Sequence, residues 1–112
     1  MTVKFLTLLQ SSPMPLLADG AMGTLLHSRG TPFDYCFDEL NLSNPAAVGG
    51  IHAEYLAAGA QILLTNTFGA NRFKLSQHGL QDQVDAINRV GVELARASAG
   101  GSASPGWPEA SP

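Results

Sequence analysis

The chain has 112 residues, 45% of them hydrophobic, which suits one small globular core and no more. Six Lys and Arg against nine Asp and Glu give a formal charge of -3, so there is no basic footprint for nucleic acid or an anionic membrane surface. A single cysteine, Cys36, excludes an internal disulfide framework, and no apolar run approaches the roughly 20 residues that span a bilayer. The apolar stretch FLTLL after Lys4 is shorter than the core of a secretory signal, so the expectation is a cytoplasmic chain with a small-molecule or protein partner.

In chain order, residues 1–13 are an N-terminal extension, and PLLAD (residues 15–19) is an apolar run ending in an acid, the pattern of a short buried parallel strand. In GAMGTLLHSRG, which follows, Asp19 is placed to cap a short helix and Gly30 to stop it. Residues 31–44 mix aromatics, acids and turn formers without a period, which predicts a surface connection. Asn41-Leu42-Ser43 matches the glycosylation letters, a chance match in a cytoplasmic chain.

Asn44-Pro45 is an N-cap followed by proline at the first helical position, and Val48, Ile51, Tyr55 and Ala58 recur at spacings of three and four, so a helix is predicted over about 45–58, ended by Gly59. QILLTNTFG then supplies a second buried strand over 61–66, closing in the polar triplet Thr65-Asn66-Thr67. Residues 70–79 form a short helical turn stopped by Gly79, and a longer helix from about Gln81 to Ser98 carries Val84, Ile87, Gly91 and Leu94 on one face. Alternation of strand and helix predicts an α/β fold with adjacent parallel strands joined by a crossover helix. Residues 100–112, rich in Gly, Ser, Pro and Ala, are expected to be a disordered tail.

Ligands of parallel α/β folds bind at the carboxyl ends of the strands. Asp19 ends the first strand and Asn66-Thr67 the second, so these groups are expected to face one pocket. Gly20 and Gly23 let the backbone approach a ligand and expose N–H groups near a helix start. A carboxylate beside free N–H groups complements an amino acid, with Asp19 for the ammonium and the loop amides for the carboxylate. The competing expectation makes Asp19 only a helix cap and the glycines only turn formers.

No pair among His27, His52 and His78 has metal spacing on one helix face, so solvated or packed imidazoles are expected. Adjacent side chains such as Asp38-Glu39 diverge, which favours a surface or capping role over paired acid–base work. No catalytic residue and no metal ligand is assigned.

LADGAMGTLLHSRG, and then CFDELNLSNPAAVGGIHAEYLAAGAQILLTNTFGANRFKL, resemble the amino-terminal part of the homocysteine S-methyltransferase domain family, which includes betaine–homocysteine methyltransferase, cobalamin-dependent methionine synthase and bacterial fusions to a methylenetetrahydrofolate reductase. The resemblance covers residues 14–99 through ordered motifs: DGAMGT, DELNL-x-NP and TNTFGAN. It implies the first β/α units of a (β/α)₈ barrel, incomplete in this chain. It also implies methyl transfer from a donor to the thiolate of zinc-bound homocysteine, forming methionine. By motif, Asp19 corresponds to the contact for the homocysteine amino group, Gly20 to a neighbouring backbone contact, and Asn66 and Thr67 to the pocket lining. The three zinc cysteines of the family lie on later strands that this chain does not carry, and Cys36, before DELNL, cannot stand in for them. The segment alone is therefore expected to be inactive. The alternatives are a non-catalytic remnant or an amino-acid-binding module without the zinc site.

Overall fold

The computed structural model describes residues 2–100, and side-chain caps open two of the helices described. The helices are α1 (Thr2–Ser11), α2 (Gly23–Ser28), α3 (Leu40–Ser43), α4 (Pro45–Ala57), α5 (Arg72–Ser76) and α6 (Val84–Ser98), with 3₁₀ turns at Phe37–Glu39 and Gln81–Gln83. The expected tail lies, apart from Gly100, outside the described residues. Among the described residues no helix is long and apolar enough to cross a membrane.

The α4 start follows the sequence expectation. The Asn44 side chain accepts from the Ala47 amide at 3.4 Å, and Pro45 occupies the first turn, where its missing N–H costs nothing. At α5 the side chain of Asn71 accepts from the Lys74 amide at 2.9 Å in the same way. Gly30, Gly59 and Gly79 follow α2, α4 and α5 with positive φ, the conformation that reverses a chain after a helix at least cost to glycine.

The two expected strands shrink to one parallel bridge, Ala18 to Ile62. Direction, adjacency and the crossing by α4 are as expected; the length is not. Ile62 donates to the Leu17 carbonyl at 3.2 Å and Asp19 donates to the Ile62 carbonyl at 2.9 Å, which are the two bonds of a parallel rung. The next rung would take the Leu64 amide to the Asp19 carbonyl. That amide instead donates to the Asp19 carboxylate at 3.1 Å, and on the other side the Leu17 amide donates to the Gln61 side chain at 2.9 Å. Side chains intercept the main-chain donors at both ends, so the described residues are mostly helical.

Two further expectations are corrected. Residues 31–44 are not simply a surface connection: Cys36, Asp38, Leu40 and Asn41 are buried. Leu40 joins Leu26, Val48 and Ile51 in one apolar cluster, while Cys36 packs with Ala70, Leu75 and Ile87 in a second. The absence of a hydrophobic period misled there because the burial comes from partners far along the chain. Ala58, assigned to the buried face of α4, is exposed beyond its end.

An amide network stitches the clusters together. The Asn41 side chain donates to the Asn66 carbonyl at 2.9 Å and the Ile87 carbonyl at 3.1 Å, while Asn66 donates to the Asn41 side-chain oxygen at 3.1 Å and the Phe37 carbonyl at 3.0 Å. Against this network α6 presents Gly91, where an added Cβ would stand 2.8 Å from both Asn41 Nδ2 and Thr67 Cγ2. The same atom at Gly49, in α4, would meet nothing within 4 Å. Gly91→Ala should therefore destabilise the chain by about 1–3 kcal/mol through overpacking. Gly49→Ala should be neutral or stabilising by up to about 1 kcal/mol, because alanine is the better helix former. Urea midpoints of the two variants test the contrast, and equal midpoints would remove the close-packing account of Gly91.

Candidate functional site

Asp19 stands at the end of the bridged segment with its two carboxylate oxygens in different settings. Oδ2 accepts from the Leu64 amide at 3.1 Å; Oδ1 is buried with no hydrogen-bond partner among the described residues. The helix-cap role considered from the sequence is not the one observed: α2 begins after Met22, with no side-chain cap, and Asp19 is committed to the second segment. Its charge is thus held at the boundary between residues 17–19 and residues 61–64.

Gly20 follows on the exposed side, where a Cβ would stand 2.9 Å from Tyr55 Oη. The Tyr55 hydroxyl donates to the Ala21 carbonyl at 2.7 Å, so α4 holds this loop in place. Only glycine lets the loop lie this close to the tyrosine ring.

Asn66 and Thr67 occupy the second segment. Asn66 is buried, with its amide nitrogen donating into the network around Asn41. Thr67 is half-buried, and its hydroxyl pairs with that of Thr65 at 2.7 Å. The bond from Leu64 to Asp19 links the two halves of the expected site, two residues before Asn66.

Two further polar side chains are buried, the first being His52, which the sequence expected to be solvated or packed. His52 is 0% exposed, and neither ring nitrogen has a hydrogen-bond partner among the described residues. Burial pushes its pKa down, and the negative charge of Asp19 offsets part of that shift. A signal was available: His52 follows Val48 by four and precedes Tyr55 by three on α4, which puts it on the packed face.

Asp38 is the second. It is buried, its carboxylate accepts from the Gly69 amide at 3.0 Å, and the surface or capping role expected for it does not hold. No local pattern announces a partner 31 residues away. Beside this contact an open cleft of about 230 Å³ lies between Tyr35–Asp38 and Phe68–His78, with Lys74 Nζ 6.0 Å from the Phe68 ring centroid.

The His27 Nδ1–H donates to the Thr31 carbonyl at 2.8 Å and its ring stacks on Phe33 at 3.5 Å; His78 is exposed. Cys36 is a free, buried thiol whose pKa is raised chiefly by burial, the reverse of what a metal-binding thiolate needs. Among the described residues no group of three or more His, Cys, Asp or Glu could hold a metal ion. Zinc takes three or four protein donors, so the described residues do not fit it.

With this geometry in place, the comparisons are specific. A model of the homocysteine S-methyltransferase family matches residues 16–107. The chain belongs to this family. Among its relatives, methionine synthase of Mycobacterium tuberculosis is 33% identical over 96 residues, covering 80% of the chain and 8% of that protein. Methionine synthase of Mycobacterium leprae is 33% identical over 87 residues, covering 72% of the chain and 7% of the relative. Among solved structures, the metallated form of the homocysteine methyltransferase MmuM from Escherichia coli superposes with a TM-score of 0.73 at 32% identity, over 85% of the chain and 34% of the enzyme. The chain thus spans less than a tenth of the synthases and about a third of the enzyme, and the family match over residues 16–107 includes Asp19, Asn66 and Thr67.

The lowered pKa of His52 carries a pH signature. In the unfolded chain the imidazole protonates near pH 6.5, whereas in the folded chain it does so at lower pH. Between those values the unfolded state binds more protons. The contribution of neutral His52 to stability is therefore complete above about pH 6.5 and is lost as pH falls toward the folded value. Urea unfolding across pH 5–8 should show this slope, and His52→Gln should remove it; an unchanged slope would show that His52 does not titrate differently on folding.

Proposed function

We propose that the chain forms the homocysteine-binding start of a (β/α)₈ methyltransferase barrel. In this reading the Asp19 carboxylate takes the ammonium of homocysteine, Gly20 brings its backbone against the ligand, and Asn66 and Thr67 line the pocket from the neighbouring segment. The observation that carries the reading is the Asp19 carboxylate anchored on the Leu64 amide at the end of a parallel pairing, in a chain matched over 85% of its length by a homocysteine methyltransferase. An anchored acid is pre-organised, so little ordering is spent when an ammonium binds.

The exposure of Leu17 and Leu64 beside the bridge supports the barrel, because 55% and 66% exposure is unusual for leucines on a parallel pair, whose faces are covered in complete α/β folds. The cytoplasm and the methyl donor belong to the same reading, as does zinc in the complete domain.

Methyl transfer forms a bond from the homocysteine sulfur to carbon and breaks the donor's bond to that carbon. The thiol proton must leave first, and thiolate is the minor form of a free thiol near neutral pH. The described residues supply no zinc donor set for that step, so binding is assigned to this chain and catalysis to the complete domain.

Two measurements test the division. The purified 112-residue chain, given zinc, homocysteine and a methyl donor, should form no methionine above a control without protein; chelator-sensitive methionine formation would overturn it. In a complete family domain carrying this segment, Asp19→Asn should weaken homocysteine binding on the order of tenfold to a hundredfold, the effect of losing roughly 1.5–3 kcal/mol of charge-assisted hydrogen bonding. The asparagine oxygen can still accept from Leu64, so the melting temperature should barely move. A lower melting temperature with unchanged affinity would make Asp19 purely structural.

A further inference from the structure

Three buried polar atoms are left without partners among the described residues, and they belong to just two side chains: Oδ1 of Asp19 and both ring nitrogens of His52. These two residues are 33 positions apart in sequence. α4 nevertheless brings them to one region: Tyr55, one turn after His52, bonds the Ala21 carbonyl two residues after Asp19, and the Asp19 charge bears on the His52 imidazole. Their chemistry is complementary, because an ionised carboxylate oxygen only accepts, whereas a neutral imidazole always carries one N–H donor and one acceptor nitrogen. Orphaned buried donors and acceptors are the usual setting of an ordered water.

The helix supports the pairing. His52 and Tyr55 are three apart on α4, so they share a face, and Tyr55 is already bonded to the Ala21 carbonyl in the loop that follows Asp19. The face of α4 that reaches the segment 19–21 therefore carries two polar side chains, of which Tyr55 is bonded to the loop.

We propose that His52 is the positioning residue for Asp19: its neutral imidazole donates, through one bridging water, to Oδ1, while the Leu64 amide holds Oδ2. The carboxylate is then fixed from two sides. Neutrality of the imidazole matters for a ligand ammonium, because a protonated His52 would compete for the same carboxylate. The consequence for amine binding rests on the reading of Asp19 proposed above; the contact itself does not.

The charged groups on elements packed against α4 are His27 on α2 and Asp85, Arg89, Glu93 and Arg96 on α6. The resolved influences on His52 are burial and Asp19. Glu54 on α4 itself is turned to the exposed Arg29, which it meets at 2.6 Å.

The test is a pH titration of the ¹⁵N-histidine-labelled 112-residue chain, followed by long-range ¹H–¹⁵N spectra. His52 should show a single neutral tautomer at pH 7 and protonate below about pH 6.5. Asp19→Asn should lower that midpoint further, because the charge that favours imidazolium is gone. His52→Leu should shift the Leu64 amide resonance, and His52→Gln, which keeps a donor, should restore it. A His52 midpoint indifferent to Asp19→Asn, tautomers averaging freely at pH 7, or the collapsed spectrum of an unfolded chain would each overturn the proposal. Adding homocysteine to the same sample separates the two readings. Coupled titration without any homocysteine response would remove the amine-binding role of Asp19 and leave the positioning contact standing, whereas a homocysteine response without coupling would do the opposite.

Discussion

The Asp19 carboxylate stands where a main-chain carbonyl would continue a parallel ladder, and much of the arrangement follows from that substitution. By accepting from the Leu64 amide it stops the pairing after a single bridge and fixes residues 17–19 against residues 61–64. A ladder closed by backbone alone would have left the acid free to rotate. Here one oxygen is spent on structure and the other stays buried without a partner among the described residues.

Around that contact, the segments are held by polar atoms as much as by apolar packing. Asn41 and Asn66 bind each other and three backbone carbonyls from distant parts of the chain, which is possible only because Gly91 lets α6 approach without a Cβ in the way. Such a network is specific in geometry, since each amide must find a partner or suffer the cost of burial. Its position just beyond Leu64 means that the backbone leading into Asn66 and Thr67 is rigidly placed relative to Asp19.

Membership of the homocysteine S-methyltransferase family gives these local facts a context, and the share of each relative that is covered sets its limits. A chain matching about a third of a solved enzyme carries one portion of that fold. The exposed side chains agree with that view: Leu64 and Phe68 sit at the end of the second segment at 66% and 94% exposure, a large apolar surface for so small a chain.

The sequence by itself determined the features governed by neighbours along the chain. The Asn44-Pro45 start of α4, the glycine stops, the long amphipathic α6 and the parallel direction of the two apolar runs follow from capping, φ preferences and hydrophobic period, all local quantities. Only the tertiary structure decided that Asp19 reaches Leu64 rather than the start of α2, that Asp38 is buried on the Gly69 amide, and that His52 lies without exposure near Asp19. Those outcomes depend on which main-chain donors the fold leaves free, and partners 31 to 45 residues apart leave no periodic trace in the intervening sequence.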